Sequence, residues 1–228
     1  MMCGHCEAFC PQQALVLDFN INSKIDCSAS TDPIEPQRLA LYMKNRRSIR
    51  HFTKQTVSRE VIMDLLETVS YAPSGGNSQT VTWLVVHDPL EVKKIAGLTV
   101  DWMRTLVGTP HPLGPYVNRI IAAWDKGIDP ICHNAPHLVF ALLPKSDFVD
   151  DRTDGIIALT HFDLLAPAYG IGACWAGFIR FATDSYKPLQ DAISLPENKK
   201  VAYALFFGYP SILPTAIPRR KLITVSWQ

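Results

Sequence analysis

The chain lacks any long apolar run. No stretch of its 228 residues approaches the roughly 20 apolar residues of a membrane span. The start lacks the charged-then-apolar plan of a signal peptide. Neither sign of charge dominates: 22 Lys and Arg against 21 Asp and Glu leave a formal +1. That balance leaves no electrostatic footprint for nucleic acid or an anionic membrane surface, so neither partner is expected. A disulfide framework is missing too. Cys3, Cys6 and Cys10 crowd the first residues, while Cys27, Cys132 and Cys174 are scattered. This usage points to a reducing, cytoplasmic compartment. There is no GxSxG elbow, no GxxxxGK[ST] phosphate loop and no HExxH. His87, His133, His137 and His161 lack metal-ligand spacing, and each reads as a satisfied core or surface histidine. Cys174 lies in an apolar setting and reads as a packed thiol. No side-chain nucleophile emerges.

What is present is a regular pattern from Pro33 onward. PIEPQRLALYMKN (33–45) predicts a helix with Pro33 near its start. In SREVIMDLLETVSYA, Ser58 is a plausible N-cap, and Val61, Ile62, Leu65, Leu66 and Val69 form one apolar face at helical spacing. VTWLVVH (81–87), HLVFALLP (137–144) and VAYALFFG (201–208) predict buried strands, and LITVSW (222–227) a final one. Residues 89–107 and 116–127 predict helices, separated by the proline loop TPHPLGP. Residues 153–170 predict a long apolar helix that Pro167 kinks or ends. GIGACWAGFI (170–179) predicts a glycine-rich strand, and DSYKPLQDAI (184–193) a short helix. This alternation predicts an α+β or α/β layered domain around one central sheet.

Three stretches carry candidate chemistry. NRRSIRHF (45–52) sets Arg46, Arg47 and Arg50 around Ser48, a dense anion site. A solvated basic helix end is the plain alternative. APSGGNSQ (72–79) is a turn by chemistry, and its small residues also let backbone approach a planar ligand. YGIGACWAGF (169–178) has three glycines on a strand-like segment, which marks close approach of a ligand or another backbone. A fourth stretch, PRRK (218–221), reads by itself as a solvated basic tail.

The order of these stretches resembles the nitroreductase family of FMN-dependent oxidoreductases over about residues 38–228. That resemblance implies an α+β fold, with a mixed central sheet flanked by helices, in an interlocked homodimer with FMN at the subunit interface. It implies that Arg46, Arg47 and Ser48 hold the FMN phosphate and ribityl chain, and that Arg50 faces the pyrimidine edge. Pro73, Ser74, Gly75 and Asn77 would reach the flavin from the partner subunit. Trp175, Ala176 and Gly177 would line one flavin face, with an amide near Ala176 or Gly177 directed at N5. Arg220 and Lys221 would complete the phosphate site, with Arg219 competing for the role. The implied activity passes electrons from NAD(P)H or a ferredoxin-type donor to nitroaromatic, quinone or related small acceptors. An electron-relay module without small-molecule turnover is the alternative. No catalytic side chain is implied, because the chemistry belongs to the cofactor. Two departures touch the pocket: Thr80 and Val81 stand where many members have Pro-Trp, and Ala176 stands where some carry an acid.

The opening MMCGHCEAFCP reads from Cys3 as Cys-x₂-Cys-x₃-Cys-Pro. It matches the last three cysteines of the bacterial cluster run and resembles the second 4Fe-4S run of ferredoxins fused ahead of nitroreductase domains. Cys3, Cys6 and Cys10 would then divide between two incomplete ligand sets. Three readings stay open: a truncated form of a longer fusion, a remnant with free thiols, or a cluster or zinc site completed by Cys27, His5 or another subunit. The expected division is a partial ferredoxin-like segment at 1–32 and an FMN domain at 33–228.

Overall fold

From Leu138 to Leu143 the chain is apolar without a break, a pattern a strand sustains only when both its faces are covered. This segment forms β2 (His137–Pro144), inside a four-stranded sheet of order β1-β2-β4-β3. Its companions are β1 (Thr82–Val86), β3 (Gly172–Trp175) and β4 (Lys199–Gly208). The structure, a computed structural model, describes residues 4–12, 14–17, 34–146 and 151–228.

Alternation along β2 divides the core in two. Leu138, Phe140 and Leu142 pack with α4 (Pro89–Thr105), α5 (Gly114–Asp125), α7 (Gly177–Ser185) and α8 (Lys187–Ala192). Val139, Ala141 and Leu143 face α3 (Arg59–Val69) and α6 (Thr153–Leu165). Gly155 lets α6 lie this close, since a Cβ there would collide with the Ala202 Cβ of β4. All strand pairs are antiparallel. The parallel component expected of a mixed sheet appears, among the described residues, as an isolated bridge between Ser48 and Ala173. No described helix is long and apolar enough to cross a membrane.

Several local expectations hold. Ser58 caps α3 by accepting from the Val61 amide at 3.4 Å. α6 stops at Leu165, and Pro167 falls in a 3₁₀ turn over Ala166–Tyr169. Three expectations need correction. GIGACWAGFI is a strand only to Trp175; beyond it Ile179, Ala182 and Thr183 recur at helical spacing and bury one face of α7. DSYKPLQDAI is not one helix, because an extended Tyr186 (φ −112°, ψ 98°) separates α7 from α8. LITVSW is not a strand, and residues 211–228 form neither helix nor strand. Among the described residues no strand pairs with that tail, and Leu222 and Trp227 stand 97% and 90% exposed.

Three described helices, α3 among them, precede β1. α1 (His5–Ala8) buries no residue. α2 (Pro36–Asn45) starts at Pro36 rather than Pro33 and delivers the chain to the arginine-rich segment. The predicted boundary at residue 32, with Cys3 and Cys27, lies outside the described residues.

Candidate functional site

The arginine-rich segment leaves α2 extended, with Arg46 at φ −58° and ψ 128°. It then runs beside the sheet. Ile49 N–H donates to the Ala173 carbonyl at 3.0 Å, and Thr53 N–H to the Tyr209 carbonyl at 2.8 Å. Gly172 makes this approach possible: a Cβ there would sit 2.5 Å from Ile49 Cγ1 and 2.7 Å from its Cβ. The glycine-rich stretch thus marks close backbone approach, as its composition suggests.

This docking brings Arg50 to a cavity of about 260 Å³ lined also by His133, Trp175, Ala176, Gly177, Tyr203 and Phe206. Trp175 meets Tyr203 edge-on at 5.0 Å between ring centroids. The Ala176 amide donates to the Ala204 carbonyl at 2.9 Å, so it is engaged in the sheet. Gly177 opens α7, where first-turn amides have no intrahelical partner. Of the two amides considered for a ligand, Gly177 is therefore the better placed. Cys174 is buried, and burial pushes its thiol up despite a hydrogen bond with Ser48.

Asp163 ties the site together beneath the cavity wall. It is an acid only 5% exposed. Its Oδ2 accepts from Arg46 Nη1 at 3.0 Å and from Trp175 Nε1 at 3.0 Å. Burial raises its carboxyl above the usual range, while the Trp175 and Arg46 contacts act in the other direction. Arg46 is thus already paired, and Arg47 is half-buried beside it.

The turn at 72–79 lies elsewhere within the chain. Pro73 and Ser74 line a separate cavity of about 130 Å³ with Trp83 and Asp154. Asp154 fixes this turn: Oδ1 accepts from Gly75 N–H at 3.0 Å and Oδ2 from the Ser78 hydroxyl at 3.3 Å. Asn77 and Gln79 hold left-handed φ values of 52° and 49°, a strain that surrounding contacts must sustain. Arg220 and Lys221 are exposed on the 211–228 tail.

The fold therefore brings Ser48, Arg50, Trp175, Ala176 and Gly177 together and leaves the turn and the tail apart. Sequence reading missed Asp163, Asp154 and His133. Asp163 had a signal, being an acid beside Phe162 and Leu159 on the buried stripe of α6. Asp154 and His133 had none: Asp154's partners Gly75 and Ser78 lie far away in sequence, and the turn at His133 is built from backbone amides. At the N-terminus Cys6 is exposed and Cys10 partly buried. The Ala14 amide donates to Cys10 Sγ at 3.3 Å. Among the described residues, no group of three or more His, Cys, Asp or Glu is placed to hold a metal.

A family model described as the nitroreductase family matches residues 43–209. The chain belongs to the nitroreductase family. Its matched segment contains the arginine-rich stretch, the turn and the glycine-rich stretch. An iodotyrosine deiodinase of Haliscomenobacter hydrossis is 25% identical over 187 residues, covering 75% of this chain and 78% of the relative. An FMN reductase (NADPH) of Bacillus subtilis is 23% identical over 181 residues, covering 77% and 67%. Among solved structures, a nitroreductase with bound FMN from Desulfitobacterium hafniense superposes with a TM-score of 0.66 at 20% identity, covering 83% of this chain and 98% of the other. At that identity the likeness establishes the nitroreductase fold.

Proposed function

We propose that this nitroreductase-family chain is an FMN-dependent oxidoreductase that works as a homodimer. The observation that carries the reading is the convergence of Arg50, Trp175, Ala176 and Gly177 on one cavity. The residues suit a flavin. Arg50 offers a cation at the rim, Trp175, Tyr203 and Phe206 offer aromatic walls, and the first turn of α7 offers amide donors. When bound, FMN supplies two-electron transfer at its N5. Arg46, Arg47 and Ser48 hold the phosphate and ribityl end, and Arg50 neutralises negative charge at the pyrimidine edge. Arg220 and Lys221 add cations to the phosphate, and Pro73, Ser74, Gly75 and Asn77 come from the second subunit. The exposed apolar tail supports this dimer. So does the apolar groove of about 720 Å³ that Leu39, Tyr42, Leu164 and Leu165 help to line.

The donor is a reduced nicotinamide or a ferredoxin-type protein, and the acceptor a nitroaromatic, a quinone or a related small molecule. The FMN reductase (NADPH) relative favours the nicotinamide. The deiodinase relative favours a second reading, reductive dehalogenation of a halogenated tyrosine. Oxidation of NADH and NADPH is followed with menadione, a nitrobenzene or 3-iodotyrosine as acceptor. Turnover with quinone or nitro compound supports the first reading, and iodide release supports the second. Flavin without any turnover assigns the electron-relay alternative. Bound iron in anaerobically purified protein, lost on replacing Cys3, Cys6 and Cys10 with serine, would show that these cysteines join a cluster.

A further inference from the structure

His133 has no role by motif spacing, yet the fold treats it as more than a packed histidine. It sits between α5 and β2 in a turn organised by Asp129, an acid 4% exposed. Asp129 Oδ1 accepts from the amides of Ile131 and Cys132, and Oδ2 from that of Asn134, each at 2.9 Å. The Ala135 amide closes the turn on the Cys132 carbonyl at 3.0 Å. Within it His133 and Asn134 take left-handed φ values of 54° and 55°. Non-glycine residues hold that conformation only where surrounding contacts impose it, and such residues cluster at functional sites.

The consequence is a direction for the side chain. His133 lines the cavity that holds Arg50, Trp175, Ala176 and Gly177. Its ring lies 5.7 Å from that of Phe206. His137, four residues on, is the contrast, with both ring nitrogens bonded to backbone. Among the described residues no hydrogen bond reaches either ring nitrogen of His133. A half-buried imidazole with unengaged nitrogens on a cavity wall suits a polar ligand.

We propose that His133 is a flavin-positioning residue, hydrogen-bonding the ring edge that Arg50 also faces. The inference rests on the FMN reading above. Burial holds His133 below the usual histidine range, Asp129 opposes, and Arg50 and His51 reinforce the depression. The nearby Cys174 and Tyr203 are pushed up and stay protonated. Near pH 7 the imidazole is therefore neutral, with one donor and one acceptor. It can meet a heterocycle edge without adding charge beside Arg50.

The test compares FMN-loaded wild type with His133→Asn and His133→Gln. Asn tolerates positive φ and so keeps the turn, but its amide is shorter than the ring. The Gln amide extends about as far as the far ring nitrogen. The readouts are the FMN dissociation constant, the visible bands of bound FMN and the melting temperature. His133→Asn is expected to bind FMN about 5- to 10-fold more weakly with displaced bands, the loss of one hydrogen bond. His133→Gln is expected to stay within about twofold of wild type. Wild-type affinity and spectrum in His133→Asn would overturn the proposal while leaving the FMN reading intact. Equal losses in both variants with lowered melting temperatures would assign His133 to folding and overturn it as well. A wild type that binds no FMN would remove both readings.

Discussion

Arg46 has two partners to serve, the buried carboxylate of Asp163 and, on the FMN reading, the phosphate. The pair is asymmetric: the Arg46 side chain is 27% exposed and that of Asp163 is 6%. Arg46→Ala should weaken FMN binding tenfold or more, at about the strength of a charged hydrogen bond. It should also cost roughly 2–3 kcal/mol of stability, because it strands a buried carboxylate. Adding Asp163→Asn should restore the stability and leave FMN binding weak, as read by chemical denaturation and fluorescence titration. Unchanged FMN affinity in Arg46→Ala would remove Arg46 from the phosphate site. The arginines themselves were visible in the sequence because three guanidiniums and a hydroxyl within five residues form an anion site by composition. The carboxylate across from Arg46 was not, being 117 residues away.

His137 makes a different prediction at the same scale. It is fully buried. Its Nδ1–H donates to the His87 carbonyl at 2.9 Å, and its Nε2 accepts from the Val57 amide at 2.8 Å. Burial first, then the neighbouring His87, lowers its pKa to about 4. The folded value lies below the ordinary 6.5, so the unfolded chain takes up the proton more readily between the two. His137 therefore contributes stability fully above about pH 6.5, and this is lost as pH falls toward 4. The loss is on the order of 2–3 kcal/mol. Urea midpoints from pH 7 to 4 should fall, and His137→Gln should flatten that slope. Parallel slopes would contradict the assignment.

At the scale of elements, the contact between the arginine-rich segment and β3 decides the site. Gly172→Ala would place a methyl 2.5 Å from Ile49 Cγ1, so the segment must shift. The expected cost is about 1–3 kcal/mol, typical of overpacking, together with a clear loss of FMN affinity. Thermal melting and titration check this, and a variant that binds FMN normally would show that the segment docks independently of β3. Legibility at this scale followed periodicity. Leu138 to Leu143 read as a buried strand because both their faces are covered, and Ser58 read as a cap because its hydroxyl acts locally. GIGACWAGFI does not read correctly as one element because a strand and a helix share it, and glycine and alanine carry little periodic signal. LITVSW reads as a strand and is not one, because β-branched residues announce pairing without naming a partner. The described residues of this chain offer it none.

For the molecule as a whole, the two cores and the antiparallel sheet exist to hold an extended segment, a strand end and a helix start around one cavity. The order of the three stretches along the chain, more than any one of them, carried the family, because each is a common turn or helix end in isolation. His133 is hidden from motif spacing, since the Asp129 turn that aims it is formed by backbone amides, which leave no mark in a motif. The account stands on the cavity being a flavin site. Its most direct test is the visible spectrum and flavin content of the purified full chain, read with the mass of the flavin-bearing species. The account predicts yellow protein with about one FMN per chain, migrating as a dimer. Colourless protein that does not take up added FMN would contradict it.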